Sequence, residues 1–194
     1  MPIDALRSSL RKRRAILSAS QRDEAAEQCA QLARALPALQ HARCIAAYIA
    51  HRGEISCEPI IDWALERGVT VLLPVVVGRH MRFAPFDPSE ALAQNRWGIL
   101  EPEWRPGRWV SARRPNVVLL PLVAFDSGGN RLGQGGGYYD RAFAFRNASK
   151  NWRRPLLVGL GYEFQQVGQL YAKPTDVPVD AVITEMRIHE FGGD

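Results

Sequence analysis

Four short, almost continuously apolar runs constrain this chain most: residues 44–50, 69–73, 117–122 and 155–160. A strand that faces water on one side alternates apolar with polar residues. A run that is apolar at nearly every position has to be covered on both faces. Segments of helical spacing lie between these runs. Leu6, Leu10 and Leu17 repeat along residues 3–17. A second helix is predicted from a cap at Ser20 to about Leu36, just before Pro37. A third is predicted from Glu58 to Arg67, closed by Gly68, and another from Tyr139 to Phe145. The run at 69–73 is expected to stop at Pro74. Short strands are expected at 81–83 and 182–184, and residues 85–114, rich in Pro, Trp and Arg, are expected to be mostly loop. This alternation predicts an α/β fold: three layers, with a mostly parallel sheet and helices on both faces, Rossmann-like in outline. A chain of 194 residues is long enough to bury a core within one domain spanning 1–194. Ligands of such sheets collect beyond the carboxyl ends of the strands.

The segment Arg131-Leu132-Gly133-Gln134-Gly135-Gly136-Gly137-Tyr138-Tyr139-Asp140-Arg141 follows one of these apolar runs. Four glycines in five positions free the backbone to take positive φ and to approach a ligand closely. Successive amide N–H groups in such a loop can form a concavity for an anion. The spacing is neither GxxxxGK[ST] nor GxGxxG. As a bare pattern it fits a phosphate cradle or a flexible connection. Two tyrosines are unusual in a flexible linker. Asp126 and Asp140 bracket the loop, and a carboxylate beside phosphates suggests magnesium.

The formal charge is +5, and Arg7, Arg11, Lys12, Arg13 and Arg14 crowd the first helix. Such a helix is either solvated or faces an anion, whether nucleic acid or a small polyanion. No apolar run approaches the ~20 residues that span a bilayer, and the first residues lack the apolar core of a secretory signal, so no membrane association is expected. Cys29, Cys44 and Cys57 have no paired spacing and read as reduced thiols in a cytoplasmic protein. His41, His51, His80 and His189 are scattered and form no ligand cluster.

Residues 121–126 and 129–141 resemble the signature of the 5-formyltetrahydrofolate cyclo-ligase family almost throughout. Weaker matches follow in the same order along the chain: Leu6-Arg7, Gly53-Glu54-Ile55, Trp97-Gly98-Ile99-Leu100-Glu101-Pro102, and residues 177–185. The resemblance implies an enzyme that uses ATP and Mg2+ to close 5-formyltetrahydrofolate to 5,10-methenyltetrahydrofolate, releasing ADP and phosphate. ATP activates the formyl oxygen, the neighbouring N10 attacks the carbon, and phosphate leaves. This chemistry rests on positioning and charge rather than on a nucleophilic side chain, and no Ser/His/Asp or Cys/His motif is recognisable here.

By this resemblance, Arg7, Arg131, Leu132, Gly133, Gln134, Gly135, Gly136, Gly137, Tyr138 and Tyr139 contact ATP. Arg131, Tyr138 and Asp140 serve catalysis. Asp140 and Asp180 match magnesium ligands. Glu54 matches a folate-binding glutamate. Ile49, Met81, Trp97, Gln134, Gly135, Gly136, Gly137 and Tyr138 would line the folate pocket. The partners implied are a reduced folate and ATP, with no nucleic acid and a monomeric chain. The sequence departs from many members at Ile3, where they carry lysine, at Thr175-Asp176, where they carry His-Asp, and at Gly136, where some carry lysine. In place of a lysine at position 3, Arg11 or Lys12 can supply charge. Two other readings remain open at this point: a basic nucleic-acid-binding module, and a folate or nucleotide binder without turnover.

Overall fold

Helices and strands alternate along the chain in the computed structural model, which describes residues 2–103, 105, 107–148 and 154–191. The helices are α1 (Ile3–Ala15), α2 (Ala19–Ala35), the short α3 (Pro37–Gln40), α4 (Glu58–Glu66) and α5 (Tyr138–Phe143). The strands are β1 (Cys44–Ala46), β2 (Thr70–Val77), β3 (His80–Pro85), β4 (Leu92–Gln94), β5 (Leu100–Pro102), β6 (Val117–Pro121), β7 (Ala124–Phe125), β8 (Arg131–Leu132), β9 (Leu156–Leu160), β10 (Ala181–Ile183) and β11 (Ile188–Glu190). Seven of them form one sheet in the order β11-β10-β9-β6-β1-β2-β3. Its five central strands pair in parallel, and β3 and β11 close the two edges antiparallel.

The apolar runs divide by parity. Ile45, Val71, Val117, Leu119, Val158, Ala181 and Ile183 face one core, with Ala30 and Ala33 of α2 and Ile60 and Ala64 of α4. Cys44, Ala46, Leu72, Val118, Leu120, Leu157 and Val182 face the other. This is the period of two expected when both faces are covered. The three layers are unequal. Long helices cover the first face, whereas the second is covered by α5, Phe83 of β3, Phe125 of β7 and the 177–179 segment. Helix α1 packs on neither face. Its Leu10 meets Val123, Ala124 and Leu132 just past the carboxyl end of β6.

Three local expectations shift. Helix α2 begins two residues early because Ser18, not Ser20, caps it: Ser18 Oγ accepts from the Gln21 amide, and Gln21 Oε1 accepts from the Ser18 amide. Strand β2 runs through Pro74 to Val77, paired with β3. Leu72 turns its carbonyl toward β1, accepting from Ala47, so Pro74, two residues on, turns its missing N–H to the same side beyond the end of β1. No ladder bond is lost there. Residues 85–114 contain the β4–β5 hairpin, closed by Asn95, whose Oδ1 accepts from the amides of Trp97 and Ile99.

Two turns hold the site's frame. Asp126 does not face the glycine loop. Its Oδ1 accepts from the amides of Gly128 and Asn130, and its Oδ2 from the Leu170 amide and the Asn130 side chain. Burial pushes this carboxyl up, but those bonds together outweigh it and hold it below its ordinary value. Next to it Gly129 has φ +77°, and a Cβ there would lie 2.7 Å from the Val179 carbonyl oxygen. Gly129→Ala is expected to cost roughly 2–4 kcal/mol, left-handed strain plus overpacking. The urea midpoint should fall with an unchanged slope, and an unmoved midpoint would refute this packing.

Glu163, in the 3-10 turn after β9, accepts from Arg187, from Thr184 Oγ1 at 2.8 Å and pairs with His189 Nε2 at 2.8 Å. Burial raises its carboxyl. The bonds from Arg187, His189 and Thr184 win, leaving it at about 2. A depressed folded value stabilises above the ordinary 4.5 and is lost as pH falls toward about 2. Glu163→Gln is therefore expected to flatten the melting-temperature-versus-pH curve between those values. Superimposable curves for the two proteins would contradict it.

Candidate active site

The site lies beyond the carboxyl ends of β1 and β6, where α1, the turn after β1 and the glycine loop converge. Arg52 (φ 51°) and Gly53 (φ 74°) are both left-handed. This pair of turn residues brings Glu54 back beneath the sheet edge, where its Oε2 accepts from the His51 amide at 3.1 Å. Arg52 is the only non-glycine residue with positive φ among those described. Such a conformation persists only when neighbours enforce it. Here Arg14 Nε donates to the Arg52 carbonyl at 3.2 Å, and Tyr162 Oη donates to the Gly53 carbonyl at 3.2 Å.

Glu54 is 9 % exposed. Gln134 of the glycine loop, 80 residues later, donates Nε2 to Glu54 Oε1 at 2.6 Å. Gln134 is itself clamped from α1, since Arg11 Nε donates to its side-chain oxygen and Arg11 Nη2 to its carbonyl, both at 2.9 Å. One turn earlier, Arg7 Nε donates to the Gly133 carbonyl at 3.2 Å, and Arg7 also pairs with Asp4. Arg7, Arg11 and Arg14 follow i, i+4, i+7 spacing, so they share one face of α1. That face is turned toward the loop and the Glu54 turn, not to solvent.

The loop amides are free for a ligand. Among the described residues, no hydrogen bond engages the N–H of Gly133, Gln134, Gly135, Gly136 or Gly137. Gly135 has φ +103° and Gly137 φ +63°, values that L side chains rarely take. Leu132 is buried with Leu10 and anchors the loop instead of facing the opening. Arg131 ties the other end: its Nη2 donates to Asp140 Oδ1 at 2.7 Å, and the same oxygen accepts from the Val177 amide at 3.2 Å. Its Nε is buried without a partner.

Tyr138 and Tyr139 separate. Tyr138 Oη accepts from Arg96 at 3.1 Å and donates to the Gly78 carbonyl at 3.4 Å, and its ring meets Trp97 edge-on, centroids 5.5 Å apart. It thereby joins the loop to the β2–β3 and β4–β5 hairpins and forms, with half-exposed Trp97, an aromatic rim. Tyr139 stacks on Phe143 at 6.4 Å, and burial pushes its phenol well above the ordinary value. Met81 is buried in the second core, and Ile49 packs against the first.

The two carboxylates expected to hold magnesium are differently engaged. Asp180 precedes β10, at the amino end of the parallel strands. Its two oxygens accept from Arg146 at 2.7 and 2.8 Å, and one also from the Leu157 amide at 2.7 Å. It fits no cation as placed. The second oxygen of Asp140 has no hydrogen-bond partner among the described residues and fits one ligand position. Those residues contain no group of three or more His, Cys, Asp or Glu able to hold a metal. The residues that sequence reasoning passed over are Arg14 and the pairing of Gln134 with Glu54. The heptad-like spacing of Arg7, Arg11 and Arg14 was the available signal.

Burial, then repulsion from Arg7, Arg14 and Arg52, pulls the Arg11 guanidinium below its usual value. It stays charged, so four cations crowd one buried carboxylate. Unpaired backbone amides in the same place add further positive potential. A small-molecule α/β enzyme acting on an anionic substrate is the class that this combination of fold and site defines.

Comparison with known proteins sharpens the class. Residues 3–185 match the model of the 5-formyltetrahydrofolate cyclo-ligase family. The chain is 35% identical over 179 residues to 5-formyltetrahydrofolate cyclo-ligase of Haemophilus influenzae, covering 90% of this chain and 92% of that one. It is 32% identical over 187 residues to the enzyme of the same name from Escherichia coli, covering 94% and 100%. The solved 5,10-methenyltetrahydrofolate synthetase of Aquifex aeolicus superposes with a TM-score of 0.84 at 29% identity, over 100% of this chain and 95% of the other. This chain belongs to the 5-formyltetrahydrofolate cyclo-ligase family.

Proposed function

We propose that the protein closes 5-formyltetrahydrofolate to 5,10-methenyltetrahydrofolate at the expense of ATP. The observation that carries this reading is the 2.6 Å hydrogen bond from Gln134 to Glu54. It seats a loop of unpaired amides against a buried carboxylate, so a phosphoryl group and a folate can meet between them. The carboxylate accepts from pterin N–H donors in a charge-assisted pair. The amides of Gly133 to Gly137, with Arg7 and Arg11, receive the phosphates.

In the first step the γ-phosphorus–oxygen bond to ADP breaks as the formyl oxygen bonds to phosphorus. In the second, N10 attacks the activated carbon, the carbon–oxygen bond breaks and phosphate leaves with that electron pair. N10 gives up its proton to solvent. Fixed amides and guanidiniums offset the spreading oxygen charge and require no reorganisation as it develops. Arg131, held by Asp140, fixes the start of the loop. Tyr138 and Trp97 supply an apolar rim for the folate. Asp140 would hold magnesium together with the phosphates, and the ion would supply charge neutralisation there. Asp180 keeps a structural role with Arg146.

We further infer one domain, a monomeric chain and a cytoplasmic setting, the last supported by three buried free cysteines. No helix of the described residues is long and apolar enough to cross a membrane. The arginine face that a nucleic acid would need is occupied by the protein's own loop. The test is a purified-protein assay. ADP should form only when ATP, magnesium and 5-formyltetrahydrofolate are all present, in step with methenyl-folate absorbance. Thermal stabilisation by the ligands without ADP would instead select a binder lacking turnover.

A further inference from the structure

Arg14 is the largest fully buried side chain, at 1 % exposure, and its partners all belong to the walls of the site. Nε donates to the Arg52 carbonyl at 3.2 Å, Nη1 to the Leu122 carbonyl at 3.4 Å, and Nη2 stands 3.9 Å from Glu54 Oε1 with no hydrogen bond of its own. A buried guanidinium costs several kcal/mol of hydration, and an apolar residue in a helix-packing position would avoid that cost. It meets four parts of the site at once: helix α1, the left-handed turn at Arg52, the segment just past β6 and the Glu54 carboxylate.

We propose that Arg14 is a positioning residue for substrate recognition, fixing the Arg52–Gly53 turn and holding Glu54 in its charged form where the folate docks. This rests on the reading of Glu54 as the folate contact. Burial is the largest influence on the Glu54 carboxyl and raises it. Arg14 is the largest influence in the other direction, ahead of Gln134 and His51. The remaining charged or titratable groups near it among the described residues are Arg11 from α1, Arg52 and His51 in its own turn, and the un-ionised Tyr48, Cys57 and Tyr139 from the sheet and helix behind. None of these replaces a buried guanidinium at 3.9 Å.

The test is kinetics against pH. Without Arg14 the carboxyl titrates higher, so at a given pH less of it is ionised. In Arg14→Met the acid limb of kcat/KM for the folate should move up by about one pH unit, which is roughly a tenfold loss on that limb. The KM for ATP should change less than about threefold. Arg14→Lys keeps the charge and should return the limb toward wild type, with a modest rise in folate KM from the lost bonds to Arg52 and Leu122. The double variant Arg14→Met/Glu54→Gln should be no worse for folate than Glu54→Gln alone, because both act through one carboxylate.

An unmoved limb in Arg14→Met, additive losses in the double variant, or equal losses for ATP and folate would overturn the proposal. If Arg14→Met does not fold, Arg14→Lys decides: a limb displaced as far as one unit despite the retained charge overturns the proposal, and an unmoved limb supports it. An unaltered folate KM in Glu54→Gln would be a separate failure, that of the functional reading itself.

Discussion

Glu54→Gln is expected to raise the folate KM roughly 30–150-fold while leaving that for ATP within about threefold. The loss of a charge-assisted hydrogen bond in a buried site is worth about 2–3 kcal/mol. Glutamine keeps the size of the side chain and one acceptor, so the left-handed turn should survive. Glu54 is buried beneath Gln134 and Arg14, and nothing in that arrangement touches the free amides of the glycine loop. Steady-state kinetics with each substrate varied in turn separate the two effects. A rise in both constants together would mean that Glu54 merely holds the loop through Gln134. In addition, Glu54 is raised by burial, so its ionisation costs folding stability that is absent below its ordinary 4.5 and is complete once pH has risen past its folded value. Glu54→Gln should remove that cost, but it also leaves the buried Arg14 guanidinium without its carboxylate, so the melting temperature at neutral pH should fall below wild type.

The second large effect concerns Asp140. Asp140→Asn is expected to reduce turnover by at least about 100-fold, the scale on which one fixed charge-stabilising contact matters in a reacting site. Folding should suffer far less. Asparagine retains an oxygen for Arg131 and the Val177 amide. What is lost is the charge opposite a buried guanidinium, about 1–2 kcal/mol, or a few degrees in melting temperature for a chain of this size. Turnover measured across a magnesium titration, beside a thermal melt, distinguishes the roles. If activity falls only in proportion to the folded fraction, the carboxylate is an ion-pair partner of Arg131 and nothing more.

The sheet was legible because its strands are short and apolar at both parities, a pattern satisfied only with cover on two sides. The antiparallel edges were harder. Strand β2 hides behind Pro74, and reading that proline correctly requires knowing that β1 ends at Ala46, a tertiary fact. Strand β11 offers only Ile188-His189-Glu190, which carries no periodic signal. Asp126 and Asp140 look equivalent in the sequence, each beside the glycines, yet one is consumed by four hydrogen bonds, three of them local, and the other keeps an oxygen spare. The glycine loop and Glu54 could each be picked out by residue type and resemblance. Their meeting could not, since 80 residues and seven strands separate them. The inward arginine face of α1 was written in its spacing, but the short apolar stripe of Leu6 and Leu10 does not tell whether the helix lies on the sheet's face or across its end.

If Glu54 receives the folate as proposed, the amide of Gln134 already fills its seat. A newcomer therefore gains little by arriving with donors, since it trades one bond for another. It forfeits a great deal by arriving without them, because it would evict the glutamine and leave a carboxylate stranded. An occupant of this kind turns the pocket into a gatekeeper that rejects poor impostors more strongly than it rewards the true guest.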